Sequence, residues 1–126
     1  MVQALKALIM VFGAVCMVIA LVHIGFGPRS IPGSVPVNAT MDSEDRFYAT
    51  LFLGFGAACI WSARDLAGRA RAFEALMLVF FVGGVARLVS VAQVGLPGAL
   101  FQVLGTLELV LPPLFVWMHR KAFTAL

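Results

Sequence analysis

Arg87 and Glu108 are the most informative pair of ionisable residues in this chain, each set within an otherwise apolar stretch. Arg87 precedes Gly95 by eight residues and Glu108 follows Gly98 by ten. If each stretch is a helix and Gly95-Leu96-Pro97-Gly98 turns between them, the two charges lie roughly 12 and 15 Å from that turn, at nearly one level. A lone charge at such a depth in a bilayer costs several kcal/mol. A guanidinium–carboxylate pair removes much of that cost. The spacing therefore predicts that Arg87 and Glu108 pair inside the helical bundle, away from lipid. The chemistry on offer is a buried polar site for a substrate, a proton or a lipid head group. A structural pair that fixes which helices touch accounts for the same spacing.

Pro112 and Pro113 follow on the same stretch. Neither has an N–H, so the carbonyls of Glu108 and Leu109 lose their usual helical partners and a kink is expected. The other polar run is Asp42-Ser43-Glu44-Asp45-Arg46. Small polar and acidic residues at a helix start satisfy free N–H groups and suit the positive end of the helix dipole. Glu44 and Tyr48 stand one turn apart on one face, and His23 falls near the outer end of the first stretch. With Arg87 reaching outward, a polar pocket of His23, Glu44, Tyr48, Arg87 and Glu108 is the candidate site. It is read as a ligand-binding or buried polar site with no catalytic residue assigned. One histidine with scattered acids has no metal-ligand spacing, and no metal or cofactor is expected. HExxH, CxxC, GxSxG and P-loop patterns are all missing from the sequence.

These residues need elements to hold them. Of 126 residues, 62% are hydrophobic and 12% charged, with a mean hydropathy of +1.02. A soluble domain is about half apolar and a quarter charged, so the excess must face lipid. Four crossings of about 20 residues use nearly the whole length. Spans are expected at about 5–26, 44–63, 72–94 and 99–118, in one domain. Three prolines make a loop of residues 27–41. The predicted fold is all-α, a four-helix up-and-down transmembrane bundle.

The net charge of +3 does not indicate nucleic-acid binding, because the basic residues flank apolar runs and form no solvated surface. With both termini cytoplasmic, Lys6, Arg64, Arg69, Arg71, Arg120 and Lys121 all lie inside, and only Arg29 and Arg46 outside. Trp61 and Trp117 then fall near the inner interface. Cys16 and Cys59 differ in depth on the order of 10 Å, too far for a disulfide. Gly54-x-x-x-Ala58 and Ala86-x-x-x-Ser90 have the small-xxx-small spacing that lets helices approach.

The run Asp42-Ser43-Glu44-x-Arg46-Phe47-Tyr48-Ala49, with Leu51-Phe52-x-Gly54-x-Gly56 and Trp61-x-x-Arg64-Asp65, resembles a bacterial family of small four-span membrane proteins, the domain of unknown function DUF4345. Phe81-x-Gly83-Gly84-x-Ala86-Arg87-x-x-Ser90, Gly95-x-Pro97 and Glu108 extend the resemblance, which covers the chain from about residue 40 onward. It implies a multi-pass protein of the bacterial inner membrane and supplies no reaction. The leading functional expectation is a non-catalytic accessory or interaction subunit of a larger membrane assembly. Its partners would be the lipid bilayer and a larger complex or a homo-oligomer. The alternatives are a binder or carrier of a lipid or small apolar metabolite, and a small membrane isomerase using Glu44 or Glu108 as its acid–base group.

Overall fold

A computed structural model describes residues 1–124. Among them are four α-helices and no strand: α1 (Val2–Phe26), α2 (Ala39–Ala63), α3 (Ala70–Val94) and α4 (Ala99–Thr124). The all-α, four-helix expectation is met. Three helical stretches, Val2–Ser30, α3 and α4, are long and apolar enough to cross a membrane. The remaining helix, α2, is as long as α1 but carries Asp42, Glu44, Asp45 and Arg46 in its first two turns.

The chain divides into two compact units: Lys6–Arg64, and Asp65 onward together with Met1–Leu5. In the first, α1 stops where Gly27 takes a φ of +70°, a left-handed conformation that glycine adopts without strain. Pro28 follows inside a single 3-10 turn, Gly27–Ser30. The start of α2 differs from expectation. The helix begins at Ala39, and the Asn38 side chain accepts the Met41 N–H at 2.9 Å. The Asp42–Arg46 run is thus already helical, and the capping role assigned to it belongs to Asn38.

The two helices of this unit run antiparallel and touch where both backbones lack a side chain. A Cβ on Gly13 would meet the Gly56 carbonyl at 2.7 Å, and one on Gly56 would meet the Gly13 carbonyl at 2.7 Å. Phe12 packs edge-on against Phe55 beside this crossing. Close approach comes from Gly13 and Gly56, whereas Gly54 has open space where a Cβ would point. The Gly54-x-x-x-Ala58 spacing does not make this contact. Cys16 and Cys59 are buried and not bonded to each other.

In the second unit, Asp65 accepts the Gly68 N–H at 2.9 Å and shapes the turn into α3. At the far end, Gly95 stops α3 with a φ of +108° and its N–H on the Val91 carbonyl at 3.0 Å. The Gln102 side chain holds the Pro97 carbonyl at 2.9 Å and stiffens the start of α4. That helix runs on through Pro112 and Pro113 to Thr124. Buried Gly84 lets α4 close in, since a Cβ there would meet Leu109 at 2.9 Å and the Glu108 Cβ at 3.1 Å.

Candidate functional site

The antiparallel α3–α4 hairpin positions its charges by register. With the turn at Leu96-Pro97, residues at similar separations from it, to within about two positions, face each other along the two helices. Arg87 and Glu108 meet: Nε donates to Oε2 at 2.6 Å. The Glu108 side chain is 12% exposed and that of Arg87 is 44% exposed. The expected pair is formed, but its guanidinium lies on an open flank of the hairpin. A hollow of about 220 Å³ adjoins Arg87, with Gly84, Val91, Phe101, Gln102 and Thr106 among its lining residues.

A second pair spans the other end of the same hairpin. Arg120 Nε donates to Glu74 Oε1 at 2.8 Å. One residue earlier in α4, buried His119 stacks on Phe73 with ring centroids 5.0 Å apart. Its Nε2 lies 2.7 Å from the Leu66 carbonyl, to which it donates. Neither Glu74 nor His119 is among the site residues read from the sequence. The turn-centred count that pairs Arg87 with Glu108 would also have found Glu74, twenty-one residues before Gly95, facing Arg120, twenty-two after Gly98.

The first unit holds His23, Glu44 and Tyr48. His23 Nδ1 lies 3.1 Å from Asp45 Oδ2, both side chains being 23% exposed. Glu44 and Tyr48 are exposed, with Tyr48 packed edge-on against Phe47. Within this unit, then, the acid facing α1 is Asp45, and Glu44 and Tyr48 look away. Arg46 Nε donates to Asp42 Oδ1 at 2.7 Å, and its Nη1 donates to the carbonyls of Ile24 and Gly25 at 2.8 and 3.3 Å. A cation placed on the last carbonyls of α1 satisfies groups left over at the helix end and suits its dipole. The guanidinium and carboxylate lie so close over Gly27 that a Cβ there would meet both at 2.8 Å. The hydrogen bond from Arg46 is the main cause holding the Asp42 carboxyl below its ordinary value.

Each charged member of the candidate site in these two units that makes an ion pair does so with one local partner. Arg87 has Glu108, and His23 has Asp45. Such pairs position helices and can present a polar edge to a ligand. Among the described residues, no group of three or more metal-ligating side chains occurs.

The family described as a domain of unknown function, DUF4345, matches residues 4–119. The chain belongs to the DUF4345 family. No curated protein and no solved structure matches it. The match takes in α1, where the resemblance read from the sequence had no motif, and ends on His119. Every ion pair described above except Arg120–Glu74 lies wholly within the matched DUF4345 region.

Proposed function

We propose that this DUF4345 protein is a four-span protein of the bacterial inner membrane with both termini cytoplasmic. In this reading it serves as a non-catalytic accessory or interaction subunit of a larger membrane assembly, or of a homo-oligomer. The observation that carries the reading is the half-open Arg87 guanidinium on an apolar helix. A cation at that depth is costly against acyl chains even when paired. Another membrane helix laid along this flank would shield it. The same flank of α3 shows Gly83, Ala86 and Ser90 exposed, and a Cβ at Gly83 would meet nothing within 4 Å. Uncovered small residues let a second helix approach closely. For α2 as the fourth crossing, its 25 residues span roughly 37 Å, enough for the hydrocarbon core.

The test is purification from membranes in mild detergent, with a photo-crosslinking side chain at Ser90. A stoichiometric partner crosslinked from position 90, and lost in Gly83→Leu, is the expected result. The leucine fills open space, so the chain's own packing is left alone. A protein that runs at its own mass without crosslinks removes the reading.

The hollow beside Arg87 favours a second reading, a site for a small apolar ligand with one polar or anionic group. Glu108→Gln keeps shape and hydrogen bonding while removing the charge. Ligand retention unchanged by that substitution would count against it.

A further inference from the structure

A groove in the α3–α4 unit lies at the end opposite the Arg87 pair, and no part of the proposed function uses it. It has a volume of about 950 Å³, is open along one side, and has two zones. Towards the α3–α4 turn its lining is apolar, made by Met77, Leu78, Phe81, Pro112, Pro113 and Val116. Away from that turn it is bordered by Arg71, Arg120 and Lys121, with Glu74 as the one carboxylate among the described residues lining it. Arg120 is engaged by Glu74 at 2.8 Å. Lys121 Nζ sits 5.0 Å over the Trp117 ring, a cation–π contact that leaves its donors open. Neither Arg71 nor Lys121 has a carboxylate partner among the described residues. Two cations without a carboxylate partner among the described residues therefore border an apolar trough.

The dimensions narrow the occupant. From Arg71 to Phe81 along α3 is ten residues, roughly 15 Å, and from Arg120 back to Pro112 is eight, roughly 12 Å. The hydrocarbon core of one leaflet is about 15 Å deep. Prolines without N–H groups flatten the trough on the α4 side, because no donor and no long side chain projects from those two positions. Half-exposed Trp117 stands at the basic end, and indole rings favour the head-group level.

The geometry points to a binding site for one anionic phospholipid, with its phosphate between Arg71 and Lys121 and an acyl chain along the Phe81–Pro113 trough. A basic pocket between membrane helices at a leaflet surface is the arrangement that holds acidic head groups. Charge complementarity selects an anionic lipid over a zwitterionic one. The depth selects a lipid over a soluble phosphate, which would leave the trough unfilled. The site lies within one unit and depends on neither the membrane orientation nor a protein partner.

The test uses the full chain with Trp61→Phe, so that Trp117 is the one indole, in nanodiscs doped with acyl-brominated lipid. Brominated phosphatidylglycerol should quench Trp117 at several-fold lower mole fraction than brominated phosphatidylcholine. Each cation is worth about fivefold near a membrane surface, so Arg71→Gln with Lys121→Gln should bring the two lipids to parity. Both side chains are exposed and the substitutions leave the apolar packing intact. Equal quenching by the two lipids in the parent chain overturns the site and leaves ordinary boundary lipid. Reversal of quenching by millimolar inorganic phosphate also overturns it, in favour of a free-anion site. A preference for phosphatidylglycerol that survives loss of both cations overturns the assigned phosphate position.

Discussion

Arg87 Nε lies 2.6 Å from Glu108 Oε2, while Arg120 Nε lies 2.8 Å from Glu74 Oε1 across the other end of the same two helices. The polarity is reversed between the two levels. On α3 the acid comes first and the base thirteen residues later; on α4 the acid also comes first and the base twelve later. Because the helices are antiparallel, this repeated order brings each acid opposite a base. Sliding one helix by a single turn would break both pairs at once. The charges thus specify register, a role that survives even where an ion pair adds little net stability.

Double-mutant analysis measures that specification. Arg87→Ala and Glu108→Ala should each lower thermal stability in detergent, and the double variant should lose less than their sum. A coupling of about 1–3 kcal/mol is expected for contacting charges. Strict additivity would mean that the two side chains do not act as a pair.

The α1–α2 unit depends instead on the absence of side chains. Gly56→Val must push Gly13 and Met17 away, since Cβ contacts there already fall below 3.0 Å. A loss of about 1–3 kcal/mol is expected from the forced separation. Gly54→Ala, with open space at its Cβ, is the control. It should be neutral or stabilising by up to about 1 kcal/mol through helix propensity. Comparable losses in both variants would contradict the assignment of the crossing to Gly56.

Much of this was legible in the sequence, and the reason is the punctuation. Gly95 and Pro97 mark a turn, so counting outward from it pairs Arg87 with Glu108 without any coordinates. The same count pairs Glu74 with Arg120, but a charge near a span end has an easy explanation in interfacial water, which hides the pairing. The first unit resisted because its turn is long. Eight residues, 31–38, separate the 3-10 turn from α2, so no count fixes which of Asp42, Glu44 and Asp45 faces α1. That phase is set by the Gly13–Gly56 crossing and by capping from Asn38. It puts Asp45 on His23 and leaves Glu44 with Tyr48 on the exposed side.

His119 provides a test of a residue whose role is purely positional in this structure. It is buried between Phe73 and Phe123 and bonds the Leu66 carbonyl at 2.7 Å. His119→Phe keeps the stacking and abandons that carbonyl. An unsatisfied buried acceptor costs about 1–3 kcal/mol, so the variant should unfold earlier. Amide exchange of the 65–69 turn should quicken more than that of mid-α3. An unchanged melting temperature would show that Leu66 finds another donor.

The Asp42–Arg46 clamp carries a pH dependence with a definite sign. The Asp42 carboxyl is held below its ordinary value near 3.8, chiefly by the hydrogen bond from Arg46. A depressed carboxylate stabilises the fold fully above its unfolded value and loses that contribution as pH falls through the folded one. The contribution should be flat from pH 8 to 5 and fade below about pH 4. The gap in stability between the parent chain and Asp42→Asn should therefore be constant near neutrality and close in acid. A gap that widens as pH falls would reverse the assigned sign.

Membrane orientation is tested most directly from the turn between α2 and α3. Ala67 is exposed in that turn and next to no charge partner of its own, whereas a Cβ at Gly68 would crowd the Asp65 carboxylate that shapes it. The native thiols at 16 and 59 are buried, so Ala67→Cys supplies the reactive one. In the proposed orientation, which puts Lys6, Arg64, Arg69, Arg71, Arg120 and Lys121 on the cytoplasmic side in keeping with the positive-inside rule, an impermeant maleimide should label position 67 in inverted vesicles and leave it untouched in intact cells. Ser34, in the proline-rich loop, should give the opposite pattern as Ser34→Cys. Labelling of position 67 from outside would place six of the basic residues on the wrong face. Labelling of positions 34 and 67 from one side would mean that α2 does not cross.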